Sequence, residues 1–193
     1  MSIARRVKDH LEQNEVPYSH CTHRLAYTAQ EVAAAQHVPG KEMAKTIVLK
    51  TDSEFAMVIL PAVMKINMKT LREEIPFAHV ELATEKEFAQ LFPDSELGAM
   101  APFGNLYGLP VYVDKSLAED KEIVFNAGTH VDTIRIKYAD FARLVRPAII
   151  DAAIRLEMAF CSFPSPAWTR CCNGTGTDRG RSMAMPRSCC CRA

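Results

Sequence analysis

Apolar residues recur every four positions at the start of the chain, at Ile3, Val7 and Leu11, and predict a helix over residues 2–14. A second helical stretch, AQEVAAAQHV, opens on the quartet Thr28-Ala29-Gln30-Glu31. That quartet is a capping box, in which Thr28 caps the helix and the Glu31 side chain reaches back to it. Pro39 and Gly40 end the helix. The period then shortens. Residues 46–50 and FAMVILPA are continuous apolar runs separated by Thr51-Asp52-Ser53, which predicts two strands joined as a hairpin. MKTLREEI and TEKEFAQLF predict short helices with a strand, HVELA, between them. LPVYVD, KEIVFNAG and DTIRIKY predict three further strands, and YADFARLV a closing helix. Strands and helices mix without regular βαβ alternation, so the pattern favours α+β over a doubly wound parallel sheet.

From residue 148 the pattern changes. PAIIDAAIRLEMAF, with Pro147 at a first helical position, predicts a C-terminal helix over 148–160. Residues 161–193 have no apolar period and many breakers, and read as disordered or as a non-native extension. The expected organisation is therefore a body over 1–147, that helix, and a Cys- and Arg-rich tail.

Composition narrows the class. A chain of 193 residues holds one domain plus an appendage, and 48% hydrophobic with 24% charged residues is ordinary for a soluble globular protein. No apolar run reaches 18 residues, and the mixed-charge N-terminus lacks the apolar centre of a signal peptide, so the cytoplasm is the expected compartment and no membrane partner is expected. Of 23 Lys and Arg and 23 Asp and Glu, residues 148–193 hold six and three. The first 147 residues are thus slightly acidic, which argues against broad phosphate-driven nucleic-acid binding and leaves room for a contact at one end or one phosphate. Of seven cysteines only Cys21 lies in the body, which fits a reducing compartment and excludes a disulfide framework there.

Most motifs that resemble sites do not survive their spacing. The adjacent cysteines of CC and CCC cannot chelate zinc as separated CxxC pairs do. GTGTDRG has one residue too many for a dinucleotide fingerprint and follows no strand. In HCTH, His20 and His23 would face opposite sides of a strand, and the stretch reads as a loop of ordinary polar residues. Three features remain. Lys45 stands at the mouth of an apolar strand, where lysine is depleted and where the ordinary role is to snorkel. GAMAPFGNLYGLP, residues 98–110, is a shaped loop whose Gly98 and Gly104 permit close backbone approach, either as a connection or as a cradle of backbone groups around a ligand. FNAGTH, residues 125–130, leaves a strand through Gly128 and presents Thr129 and His130, as a hairpin tip or as a pocket imidazole.

In order along the chain, YTAQEVAAAQHVPG, AKTIVLK, GAMAPFG, LPVYVD, EIVFNAGTH and YADFARLVRP resemble the YbaK/prolyl-tRNA-synthetase-associated domain family. These are aminoacyl-tRNA editing domains, free-standing or inserted in prolyl-tRNA synthetase. The resemblance covers residues 1–147 and implies a mixed, barrel-like sheet lining a pocket, with helices around it. It implies hydrolysis of the ester joining a wrong amino acid to the tRNA 3′ end, with no cofactor or metal. The family lysine falls on Lys45, implied to hold the terminal phosphate, and the glycine and proline of the family loop fall on Gly98 and Pro102. The pocket histidine of the prolyl-type editors falls on His130. Catalytic roles are thus implied for Lys45, Gly98 and His130, and substrate contacts for Thr28, Thr46, Ala101, Pro102, Phe103, Asn126, Gly128 and Thr129. No Ser–His–Asp set or paired carboxylate is apparent, and an activated ester needs only an oriented water and a stabilised oxyanion.

A small editing pocket selects by excluding the larger cognate side chain, as a second sieve. Ala-tRNA(Pro) is the first expected substrate and Ser- or Thr-charged tRNA the next. YbaK itself, which clears Cys-tRNA(Pro), departs from a histidine at the position of His130, which tilts this chain away from that branch. The partners implied are a mischarged tRNA and an aminoacyl-tRNA synthetase. The rival readings are a catalytically silent module that binds a tRNA end or a nucleotide, and a Cys-tRNA(Pro) deacylase. Oligomeric state is not legible.

Overall fold

Residues 3–52 and 54–155 are described by the structure, a computed structural model. Helix α1 (Arg5–Gln13) buries Val7 and Leu11, the face its four-residue spacing marks out, and turns its charges to water. β1 (Ser19–Thr22) follows, then α2 (Ala29–Ala35), whose capping box forms as its sequence requires: the Thr28 hydroxyl accepts the Glu31 N–H and Glu31 accepts the Thr28 N–H. The hairpin of β2 (Ala44–Thr51) and β3 (Phe55–Pro61) sets Lys45 opposite Leu60. Next come β4 (Met64–Ile66), α3 (Met68–Glu74), β5 (Val80–Leu82) and α4 (Glu85–Phe88). A 3₁₀ turn over Gly104–Tyr107 leads to β6 (Val111–Asp114), α5 (Lys115–Ala118), β7 (Glu122–Asn126), β8 (Asp132–Lys137) and α6 (Tyr138–Val145). Two short strands, β9 (Ala148–Ile150) and β10 (Ala153–Arg155), end the described chain.

The largest sheet runs β5-β2-β3-β6-β9, antiparallel through the hairpin and parallel from β3 to β6 to β9. A second sheet, β1-β8-β7, is antiparallel throughout. The two are tied where Met43 bridges Val124, whose N–H donates to the Glu42 carbonyl at 2.9 Å. The fold is the expected mixed α+β arrangement. Phe103 sits at the centre of the main core, edge-on to Phe125 and to Phe141 with centroids 5.7 Å away in each case. All three rings are fully buried, each contributing roughly 1.5–3 kcal/mol of burial.

Three expectations are corrected. The helix expected over 148–160 does not form in its described part, where β9 extends β6 in parallel and β10 pairs with β4. Tertiary partners decide this: Ile150 and Ala152 are buried, the Ala152 carbonyl accepts the Asn67 N–H at 2.7 Å, and the Ala153 N–H donates to Asp114 at 2.9 Å. A helix here would forfeit those bonds. The body therefore runs past residue 147 to at least residue 155. Residues 156–160 and the tail expected over 161–193 lie outside the described residues. HCTH is also not a loop up to its last residue, because Ser19–Thr22 is an edge strand on β8.

Candidate active site

Lys45 begins β2, and the turn after β3 carries two carbonyls beneath its side chain. Its ammonium donates to the Ala62 carbonyl at 3.4 Å and to the Met64 carbonyl. Snorkelling is thus not its role; it is a half-buried cation tethered at its tip. Burial pushes its pKa below the ordinary lysine value, and the charge of Lys65 adds to that. An ammonium has three N–H donors, so with two directed at carbonyls the third is uncommitted among the described residues. The Ala62 carbonyl also accepts the Gln30 side chain of α2 at 3.4 Å, which joins the helix to the lysine.

His130 lies in the connection between β7 and β8. Its backbone N–H donates to Glu96 at 2.8 Å, and its Nε2 stands 3.0 Å from the Leu97 carbonyl. A carbonyl only accepts, so Nε2 carries hydrogen in this contact. Nδ1 is left buried without a partner among the described residues, as is Asn126 Oδ1 at the end of β7. Gly98 approaches the same ring. Its φ is +86°, a left-handed backbone that glycine adopts without strain, and a Cβ there would stand 3.5 Å from His130 Cε1. The Gly128 N–H donates to the Ala99 carbonyl at 3.0 Å and its carbonyl accepts the Glu96 N–H at 2.8 Å, so the two loops close on each other. Gly128 is required for another reason: at φ +104°, any Cβ would fall 2.7 Å from the Cβ of Ala4.

The remaining candidates divide. Thr129 gives its hydroxyl to Asp132 at 2.8 Å, and Thr28 spends its own on the α2 cap. Thr46 follows Lys45 in β2 and is half-buried. Pro102 is buried, as is Ala101, and the Phe103 ring is wholly occupied by the core. Gly98, His130, Gly128 and Thr129 thus form one contiguous cluster. Lys45 is linked to it indirectly, through the start of α2: Gln30 shares the Ala62 carbonyl with the lysine, while Tyr27, just before the helix, sets its ring against His130, tilted by 57° with centroids 4.9 Å apart. A cleft of about 660 Å³ lined by Lys41, Glu42, Asp120, Glu122 and Lys137 includes none of these residues.

Asp132, Glu96 and Tyr27 were not singled out by the sequence. Asp132 is 2% exposed and accepts three side chains: Thr129, His20 at 2.7 Å and Thr22 at 3.1 Å. Burial alone would raise its pKa, but the bonds from Thr129, His20 and Thr22 outweigh it and hold the carboxyl below the usual range. The readable signal was an acid two residues after a candidate histidine. His20 and His23 do not converge, and among the described residues no three His, Cys, Asp or Glu side chains are placed to hold a metal ion. Among the same residues no helix is long and apolar enough to cross a membrane.

Known proteins resemble this arrangement at three levels. A Staphylococcus epidermidis proline-tRNA ligase is 32% identical over 100 residues, which is 52% of this chain and 17% of the ligase. A Lactococcus lactis proline-tRNA ligase is 27% identical over 118 residues, 61% of this chain and 18% of the ligase. The matched region is thus under a fifth of those enzymes. Among solved structures, the hypothetical protein APE2540 superimposes with a TM-score of 0.70 at 17% identity, over 78% of this chain and 100% of that one. A candidate trans-editing enzyme for prolyl tRNA synthetase gives 0.68 at 20% identity, over 78% of this chain and 96% of that one. Both likenesses show the fold. The pattern of the aminoacyl-tRNA editing domain matches residues 23–144, from the strand end before α2 through the hairpin, the Gly98 loop and the His130 connection to α6. The chain belongs to the aminoacyl-tRNA editing domain family.

Proposed function

We propose that the protein is an aminoacyl-tRNA deacylase acting in trans, which hydrolyses the ester of a tRNA mischarged with a small amino acid. The observation that carries this reading is the His130 imidazole set against the left-handed Gly98, with its buried Nδ1, like Asn126 Oδ1 at the end of β7, an acceptor without a donor among the described residues. Each buried polar atom left unpaired costs about 1–3 kcal/mol, a cost that a ligand donor relieves. The substrate brings such donors in its α-ammonium group and its ribose hydroxyl. The Lys45 ammonium, with one N–H uncommitted among the described residues, takes the terminal phosphate. The Gly98–Pro102 backbone orients the ester, water adds to the carbonyl carbon, and the ribose oxygen leaves with a proton. No nucleophilic side chain is invoked, because the ester is already activated and positioning with oxyanion stabilisation supplies the rate. Alanine is the preferred side chain, on tRNA(Pro), with serine and threonine next.

The test is a deacylation panel with Ala-, Ser-, Thr-, Cys- and Pro-charged tRNAs. Selective release of one small amino acid, lost in Lys45→Ala, supports the assignment and names the substrate. Binding of tRNA with no release above the rate without protein would make the chain a silent tRNA-end module. Release of cysteine alone would place it with the Cys-tRNA(Pro) deacylases despite His130.

A further inference from the structure

Exposed apolar side chains gather around His130. Tyr27 is 66% exposed, Leu25 58% and Leu97 38%. Tyr27 packs against the imidazole, and the Leu97 carbonyl holds the same ring through Nε2. Leu25 and Tyr27 line an open cleft of about 400 Å³ together with Arg24, Ala26, Glu31 and Ala34. Apolar surface grouped at the mouth of a site marks a ligand-contacting region, where scattered single residues would not.

The cleft is built on a fixed backbone. The Tyr27 N–H donates to Glu31 Oε2 at 3.2 Å, and the Ala26 N–H donates to the His130 carbonyl at 3.2 Å. Tyr27 is therefore held in place although most of its ring faces water. Its charges are balanced, with one cation, Arg24, and one anion, Glu31. Hydrogen bonds from the Thr28 backbone and side chain and the Tyr27 backbone keep the Glu31 carboxyl ionised, below its ordinary value. A standing carboxylate repels a phosphate and tolerates a neutral flat ring, so this cleft and the Lys45 ammonium take different parts of a nucleotide. A tyrosine face with an arginine beside it is the arrangement on which single-stranded bases stack.

We propose that Tyr27, flanked by Leu25 and Arg24, is the stacking platform for the 3′-terminal base of the tRNA. The inference rests on the deacylase reading and extends it, giving the base its own subsite outside the amino-acid pocket. A base there leaves the ribose ester next to His130, the residue on which Tyr27 packs.

The test uses the full-length protein and an acceptor-stem RNA whose terminal adenosine is replaced by 2-aminopurine, with fluorescein at the 5′ end. Stacking quenches 2-aminopurine, while fluorescein anisotropy reports binding independently. Wild-type protein should quench the base in step with the anisotropy rise. Tyr27→Leu should abolish the quench and weaken binding roughly 5- to 150-fold, the range expected for one lost base–aromatic stack. Tyr27→Phe should keep both. Binding without a change in 2-aminopurine emission, or equal quenching by Tyr27→Leu, overturns the platform and leaves the deacylase reading standing. No anisotropy change, together with no deacylation of any charged tRNA, overturns the deacylase reading and the platform with it.

Discussion

Replacing Asp132 by alanine removes one acceptor from three side chains on one strand and one loop: His20 and Thr22 on β1, and Thr129 beside His130. Hydrogen bonds to a charged group contribute about 1.5–3 kcal/mol each, but three bonds to one carboxylate are not additive. His20 is 31% exposed and Thr22 lies on an exposed edge strand, so both regain water when the carboxylate is gone. The expected loss is therefore roughly 3 kcal/mol, toward the top of the range for single substitutions. Asp132→Asn keeps the shape and one acceptor, and should lose about half as much. Urea unfolding at neutral pH measures both, as a lower midpoint at unchanged slope. The pH dependence has a definite sign. The folded carboxyl titrates below the ordinary 3.8, so its stabilisation is complete above that value and is lost as the pH falls through the lower folded one. The gap between wild type and Asp132→Asn should narrow in acid. Stability of Asp132→Ala within about 0.5 kcal/mol of wild type would refute the reasoning, since that is the ordinary effect of a surface change. An unchanged kcat in a folded Asp132→Ala would show that it does not position the His130 loop.

Lys45→Met should lower deacylation at limiting substrate by roughly 10- to 150-fold, the 1.5–3 kcal/mol of one charge-assisted hydrogen bond, with a smaller loss at saturating substrate. Its burial cost is present while the ammonium is charged and fades as pH rises through its lowered folded pKa toward the ordinary 10.5, so stability relative to Lys45→Met should shift in favour of wild type on that rise, read by melting across pH. Phe103→Ala should cost about 3–5 kcal/mol in urea unfolding, as a core truncation does; a stable variant with raised KM would return Phe103 to the substrate contacts. Gly98→Ala strains a left-handed backbone by roughly 1–2 kcal/mol without a clash on His130, so a modest fall in Tm with a larger fall in kcat is expected. A chain ending after Arg155 should keep the cooperative melt, whereas one ending after Pro147 loses buried Ile150 and Ala152 and should not.

Local rules recovered the elements whose burial is regular. The β2–β3 hairpin was readable from its apolar runs, and α2 from a capping box that forms in full. β1 was not readable, because all four of its residues are exposed and leave no period-two signal for an edge strand. β9 and β10 carry a helical signal instead, because the apolar residues at 149, 150 and 154 also fit one helical face. Their partners on β6 and β4 are distant in sequence, and pairing prevailed over local pattern. Of the candidate site residues, Lys45, Gly98 and His130 are named through resemblance, and the structure sets Gly98 against His130. The contact of Gly98 with His130 and the bonds converging on Asp132 depend on tertiary closure that no spacing encodes.

The sheet order separates a local pairing from distant ones. The hairpin that carries Lys45 closes over a short turn and forms from local contacts. β1, by contrast, finds its partner only when β8 exists, with Ser19 opposite Arg135, and β6 stays open on one edge until β9 arrives. Long-range pairings slow folding, because loop-closure entropy is lost before the contacts form. On a chain emerging from the ribosome, the Lys45 hairpin can therefore close early, while the His130 connection waits for β8. A nascent chain lacking β8 would hold the lysine hairpin without the closed connection that carries His130. The proposed hydrolysis should therefore be absent from chains too short to include β8 and β9.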